Sequence, residues 1–204
     1  MQVETWEIKG HTLEYIDATH TYLVDGVIVP SITQIMKVRF GNKYNGIPQA
    51  VLNNAAKKGT EVHEAIEHYC KTGIIKDLPE VNNFIFLQRQ QKFEVLENEI
   101  PIILFKNDKP IAAGRLDLVL RQNGVIGGGD IKRTSKLDKQ YLEAQLNLYR
   151  IGYRQCYGIE WQFLKGLHLR ENVRRFVDLT VNENMAWSLI DEYIREEKGQ
   201  CITS

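Results

Sequence analysis

Residues 113–132, AGRLDLVLRQNGVIGGGDIK, constrain the fold more than any other part of the chain. Two strand-like runs are joined by Asn123-Gly124, a dipeptide suited to the positive backbone angles of a two-residue hairpin turn. With that turn Gln122 faces Val125, which sets Asp117 opposite Asp130 and Arg115 opposite Lys132. Opposed residues of an antiparallel pair lie about 4.5–5.5 Å apart on one face. Two carboxylates at that separation repel, and demand a raised pKa or a cation between them. Lys132 returns to the face of Asp130 two residues later. The pattern predicts a metal site with an amine beside it. The competing reading is a solvated hairpin carrying cross-strand ion pairs. The flanks favour the metal site: Ala112-Ala113-Gly114 and Leu116, Leu118 and Leu120 have the character of a central strand, where an unpaired charge is costly. Gly127-Gly128-Gly129 predicts close approach of another backbone or a ligand.

A chain of 204 residues suffices for one domain with a proper core. Its 26 basic and 26 acidic residues cancel, so net charge does not advertise nucleic-acid binding, though a basic groove can coexist with acidic surface elsewhere. Cys70, Cys156 and Cys201 are scattered and lack CxxC spacing. They support neither a disulfide framework nor a zinc or iron–sulfur site, and point to a reducing cytoplasm. No apolar run approaches a membrane span, and MQVETWEIKG lacks a signal-peptide core.

Ahead of the hairpin, residues 12–29 alternate as strands around a second turn, Asp25-Gly26. Ser31-Ile32-Thr33-Gln34 has the form of a capping box opening a short helix, and residues 39–47 have the Gly/Asn content of a loop. A helix is expected from Pro48 to about Lys58, with Gly59-Thr60 restarting it over 61–71. His63 lies beside the apolar face of that second helix and, taken alone, reads as a boundary histidine. His63 and His68 are five residues and about 140° apart on a helix. They cannot share a metal as the i, i+4 histidines of zinc proteases do. Pro79-Glu80 opens a further helix, and residues 93–105 turn strand-like, carrying Glu97 and Glu99. After Lys132 a basic loop leads to a helix over about 137–155, on which Tyr141, Gln145 and Tyr149 form a row. Residues 130–154 hold six Lys/Arg against three acids, a local basic patch suited to phosphates. A last strand pair, 161–169 and 173–179, precedes an acidic helix over 183–198, expected as scaffold with a solvated face.

In order, Gly59-Thr60-x-x-His63, Glu99, Gly114-x-x-Asp117, Asp130-x-Lys132 and Gln145-x-x-x-Tyr149 resemble the PD-(D/E)xK nucleases. Within them the pattern is similar to the RecB-type exonuclease branch, with its phage-encoded and mitochondrial genome-maintenance members. The hairpin leading into Val29-Pro30-Ser31-Ile32-Thr33-Gln34 looks like the lead-in of the phage-type members, so the likeness spans residues 22–153. It implies an α/β fold with a restriction-endonuclease-like core, a mixed central sheet flanked by helices. All of 1–204 would be one domain, with hairpin and helices in 1–92, the catalytic sheet in 93–180 and a closing helix in 181–204.

The resemblance further implies DNA as substrate and Mg2+ or Mn2+ as cofactor. The ligands would be His63, Asp117, Asp130 and the backbone carbonyl of Ile131, with Glu99 (or Glu97 in its place) helping to set up the metal. Lys132 would orient or polarise the attacking water, and Gln145 and Tyr149 would support Lys132 and the DNA backbone. A lysine beside two carboxylates keeps its charge, which suits positioning and electrostatics better than base catalysis. The chain lacks the cysteines for the iron–sulfur cluster of some relatives. The expected activity is an exonuclease on linear DNA, favouring single strands or frayed ends, in phage or bacterial recombination, repair or processing within a bacterial cytoplasm. Lys57, Lys58, Arg133, Lys136, Lys139 and Arg150 would line a passage between the helices at 48–71 and 137–155, with Tyr141 or Tyr149 available for stacking. The alternatives are an endonuclease or junction resolvase on the same fold, and a non-cleaving DNA-binding scaffold. Intact Asp117, Asp130 and Lys132 speak against the scaffold.

Overall fold

Two-residue turns set the register of two sheets. Lys9-Gly10, Asp25-Gly26, Asn107-Asp108 and Asn123-Gly124 each have positive φ at both positions, the geometry whose twist matches paired strands. The structure, a computed structural model, describes residues 3–41 and 46–200. Strands β1 (Val3–Ile8), β2 (His11–Ile16), β3 (Thr21–Val24) and β4 (Val27–Val29) form an antiparallel sheet in that order. Helices α1 (Ile32–Phe40), α2 (Gln49–Thr72) and α3 (Pro79–Gln91) follow. Then come β5 (Phe93–Lys106), β6 (Lys109–Gln122), β7 (Val125–Lys132), α4 (Lys139–Tyr157), β8 (Phe163–Arg170), β9 (Val173–Leu179) and α5 (Glu183–Gln200). Strands β5 to β9 make a second sheet in sequence order, antiparallel except for β7 and β8, which run parallel across the α4 crossover. The expected α/β architecture, a mixed sheet flanked by helices, is what the chain forms.

Each face of the mixed sheet has its own helical layer. Ile102, Leu104 and Leu116 are buried with Leu142 and Leu146 of α4, Ile35 of α1 and Ile190 of α5. Leu118, Leu120, Ile131 and Leu167 are buried with Val62 and Ile66 of α2 and Phe84 of α3. The N-terminal sheet lays Leu13, Val24 and Val29 over Ile103, Phe105 and Ala113. Burial of one such side chain contributes roughly 1.5–3 kcal/mol, so these layers dominate the choice of fold. The capping box of α1 forms as expected: Gln34 N–H donates to Ser31 Oγ at 3.1 Å, and Ser31 N–H donates to Gln34 Oε1 at 2.6 Å.

Several local expectations need correction. β1 lies ahead of the strands expected over 12–29. The helix expected to break at Gly59-Thr60 is continuous over Gln49–Thr72. A helical glycine costs about 1 kcal/mol relative to alanine, too little to break a helix anchored by buried Val62, Ala65 and Ile66. Of the loop expected over 39–47, residues 39 and 40 belong to α1, and residues 42–45 lie outside the described ones. The close approach expected at Gly127, Gly128 and Gly129 is made by the neighbouring strand and its flanking side chains. A Cβ there would meet the Phe163 ring and carbonyl at 2.5 Å, the Trp161 ring at 2.2 Å and Leu120 at 2.8 Å. The glycines let β8 and its aromatic flank close onto β7. Cys70 and Cys156 are free thiols whose pKa values burial pushes up to about 11; Cys201 lies outside the described residues. Among the described residues no helix is long and apolar enough to cross a membrane.

Candidate metal centre

The site lies where β6 and β7 separate. Their ladder runs from Gln122↔Val125 to Leu118↔Gly129 and ends there, one rung short of the expected Asp117–Asp130 pair. β7 continues against β8, with Asp130 beside Gly166 and Lys132 beside His168. β6 stays on β5 and takes up residues 30–31: Ala113 N–H donates to the Pro30 carbonyl at 3.0 Å. Arg115 therefore pairs with Pro101 rather than facing Lys132. The Asp117 carboxylate accepts the Ile131 N–H at 2.7 Å, so a side chain holds β7 at the point where the ladder stops.

Alternation along β6 also slips here. Leu116 packs in the α4 layer, whereas Leu118, two residues on, packs in the α2 layer. Opposite Asp117, between the rungs Asn98↔Leu118 and Ile100↔Leu116, Glu99 has φ +51°. A left-handed backbone costs a non-glycine residue about 1–2 kcal/mol, and such outliers concentrate at functional positions. Glu97 instead accepts the Tyr153 hydroxyl at 3.0 Å, which leaves Glu99 as the glutamate of the site.

His63 reaches the split from α2. Its Nδ1 lies 3.6 Å from Asp117 Oδ2 and 3.8 Å from Glu99 Oε1, and one ligand atom of each residue lies within 4.8 Å of the others. Its Nε2 is 3.0 Å from the Ile131 carbonyl. A carbonyl only accepts, so Nε2 carries a hydrogen and Nδ1 is the atom facing the carboxylates. A bare lone pair there would repel both acids. Either a proton on Nδ1 or a cation between the three groups relieves it. Without a cation the proton wins: burial alone would lower the His63 pKa, but Asp117 and Glu99 outweigh it and raise it to about 9. Burial, with Glu99 adding to it, holds the Asp117 carboxyl above its ordinary range against the pull of His63 and Lys132.

Asp130 and Lys132 approach from the other side of the sheet. Ile131 between them packs in the α2 layer, so period-two alternation turns its neighbours toward α4. The Lys132 ammonium lies 2.8 Å from Asp130 Oδ1 and 2.6 Å from Oδ2. Both oxygens of Asp130 therefore face the ammonium, and the Oδ1 contact is the one with hydrogen-bonding geometry. Burial raises the Asp130 pKa to about 6 even with the ammonium against it, and Asp117 adds to the rise. Burial would strip Lys132 of its proton, but Asp130 and Asp117 outweigh that and hold it charged.

The expected ligand set is thus assembled differently. Glu99 joins His63 and Asp117, Asp130 is tied to Lys132, and the Ile131 carbonyl orients the histidine. The donors still fit a hard divalent cation: carboxylate oxygens and one imidazole nitrogen converge.

Helix α4 is capped by Asp138, whose carboxylate accepts the Tyr141 N–H at 3.0 Å, and carries Gln145 and Tyr149 beneath β6. A Cβ on Gly114 would lie 2.9 Å from Tyr149 Oη, so glycine at 114 lets the hydroxyl reach the strand three residues from Asp117. Burial, then Tyr22, Asp117, Asp130 and Glu99, keep that hydroxyl protonated. Gln145 is buried, with Oε1 lacking a donor. Among the described residues no hydrogen bond joins either side chain to Lys132.

The residues expected along DNA divide. Lys57, Lys58 and Lys136 are exposed, and Lys139 is exposed beside Glu143 at 3.7 Å. Tyr141 is half-buried, edge-on to Phe40. Arg133 pairs with buried Glu80 at 2.7 Å. Arg150 is a structural residue: its side chain, 11% exposed, bonds the Trp161 carbonyl, Glu160 and Glu183. Arg154 joins Glu160 and Glu183 too, so much of the basic patch is neutralised, partly by the helix expected only as scaffold. Lys58 and Arg133 do line one depression of about 280 Å³, but Glu61, Glu80 and Glu171 line it with them. The helices expected to wall a passage, α2 and α4, cover opposite faces of the sheet, because each has an apolar stripe to bury. Sequence reasoning missed Glu4, Trp6 and Tyr15, which surround Arg115. The alternation of Trp6 and Ile8 was the available signal.

No protein-family model matches the chain, and no curated protein matches it. Among solved structures, one described as "Crystal structure of SSO0001" shares 14% identity, over 82% of this chain and 75% of its own, with a TM-score of 0.45.

Proposed function

We propose that this chain is a divalent-metal-dependent deoxyribonuclease that hydrolyses phosphodiester bonds as an exonuclease. The observation carrying the proposal is the convergence of His63, Glu99 and Asp117 within 4.8 Å, next to buried Asp130 paired with half-buried Lys132. A divalent ion held there would supply a Lewis acid for a phosphoryl oxygen and lower the pKa of its bound water. The chain's own groups supply the rest. His63, Glu99 and Asp117 offer the ligand atoms, and the Ile131 carbonyl fixes which imidazole nitrogen is offered. Lys132, held charged by Asp130, is suited to orient the attacking water and offset charge building on the phosphate, with the leaving oxygen taking a proton from solvent. The choice of DNA, and of the PD-(D/E)xK class with its restriction-endonuclease-like core, rests on the ordered motifs ending in Gln145-x-x-x-Tyr149. Magnesium and manganese suit the donors. Exposed Lys57, Lys58, Lys136 and Lys139 remain as contacts for a DNA backbone.

The test is incubation with end-labelled linear and closed circular single-stranded DNA, with Mg2+, with Mn2+ and in excess chelator. Linear DNA should be consumed from an end only with metal, and circles should survive. Lys132→Ala should abolish cleavage while still binding Mn2+, whereas Asp117→Asn should lose both. Hydrolysis in chelator by metal-free protein sinks the mechanism. Equal cutting of circles replaces the exonuclease with an endonuclease. DNA binding without cleavage under every metal condition leaves the binding scaffold.

A further inference from the structure

We infer that Arg115 is a positioning residue of the metal centre, setting which oxygen of Glu99 faces the cation and anchoring Glu99 to the N-terminal sheet. The inference rests on the metal reading of the site. Arg115 Nε lies 3.3 Å from Glu99 Oε2, while Oε1 is the oxygen 3.8 Å from His63 Nδ1. The guanidinium thus occupies one oxygen and leaves the other directed at the cluster. Its second attachment is to β1: Arg115 Nη1 donates to Glu4 at 2.9 Å and 3.1 Å. The Trp6 and Tyr15 rings lie 6.0 Å and 5.1 Å from the guanidinium carbon, so aromatic surface from the same sheet fixes its plane.

Charge alone does not explain this arrangement. A flexible cation beside a metal ligand would compete with the metal for both carboxylate oxygens. A planar guanidinium held by Glu4 and two rings is fixed in direction, and its side chain is only 27% exposed. Glu99 needs such support, because its left-handed backbone is not a conformation it would keep unaided. Partners one layer out from metal ligands typically carry 10–100-fold of metal affinity. The N-terminal sheet is therefore part of the site's machinery, although none of its own residues belongs to the His63, Glu99 and Asp117 cluster.

The experiment measures Mn2+ affinity of the full-length protein by calorimetry, in a double-mutant cycle of Arg115→Gln and Glu99→Gln, with circular dichroism confirming the fold. Arg115→Gln should weaken Mn2+ binding about tenfold in the wild-type background. In the Glu99→Gln background it should change nothing further, since the arginine acts through that carboxylate. Arg115→Lys keeps the charge but loses the planar fork, and should restore only part of the affinity. If Arg115→Gln does not fold, Arg115→Lys runs through the same cycle. Unchanged affinity in the tested Arg115 variant, or the same loss with and without Glu99, overturns the inference while leaving the metal reading intact. A wild-type protein that binds no Mn2+ removes both.

Discussion

Asp130→Asn should stabilise the metal-free protein at neutral pH. Asp130 is 2% exposed, and its carboxyl is raised from 3.8 to about 6. Each pKa unit between folded and unfolded chains corresponds to about 1.4 kcal/mol. Two units give roughly 3 kcal/mol, and part of that is shared with Lys132, so about 2 kcal/mol is the working figure. The sign follows from the direction: a raised carboxyl favours folding when protonated, so its contribution is full below pH 3.8 and lost as pH rises through 6. Asparagine imitates the protonated form at every pH. Its advantage should be near zero at pH 4 and full by pH 7.5, about 4–8 °C in melting temperature for a chain of this length. The assay is thermal unfolding of both proteins in chelator across that range. A pH-independent difference, or a loss of stability at pH 7.5, would refute the reasoning.

Mn2+ binding at pH 7.5 should expel close to one proton, because Nδ1 of His63 must shed the one it holds up to about pH 9. Calorimetry in buffers of different ionisation enthalpy reads the number directly, and zero release would mean the metal does not bind at Nδ1. Gly59→Ala should raise stability by roughly 0.5–1 kcal/mol, since the residue is interior to α2 and a Cβ there would meet nothing within 4 Å beyond its chain neighbours and the helix's own backbone. Chemical denaturation checks this, and a loss would show that the helix needs a break at 59.

The parts of the fold governed by local chemistry were legible in the sequence. Asn123-Gly124 dictated a turn, and the pairing Gln122↔Val125 followed from it. The Ser31–Gln34 box opened α1, and Pro79 opened α3. His63, Asp117, Asp130 and Lys132 were placed near one another from spacing and resemblance, and the structure gathers them. What stayed hidden depends on contacts made at long range. Nothing adjacent to Asp117 signals that its carboxylate will take the Ile131 N–H and end the ladder. Nothing near Gly128 announces the Trp161 ring that fills its space. Arg115 was misassigned because ladder arithmetic assumes an unbroken ladder, and Glu4, 111 positions away, was invisible to it. Arg150 looked like a phosphate contact until Glu183, 33 residues on, came to neutralise it.

A sheet poses a particular difficulty for a site built on neighbouring strands, because alternation sends residues of one strand to two faces. Ile131 shows how the chain resolves it. Its side chain lies in the α2 layer with Val62 and Leu167, which commits Asp130 and Lys132 to the α4 side. A one-residue slip of β7 would exchange them, placing the Asp130 carboxylate among apolar side chains at a cost of several kcal/mol, so the apolar contact fixes the polar one. The backbone of the same residue does the opposite task and faces the other half of the site. Its N–H goes to Asp117 at 2.7 Å and its carbonyl to His63 at 3.0 Å. Those bonds require the ladder to end at Leu118↔Gly129, and the opening between β6 and β7 is what lets groups from both faces meet. Opening and site are therefore one structural event. It falls at the carboxyl end of β7, just before the α4 crossover, where parallel strands in α/β sheets present their binding groups.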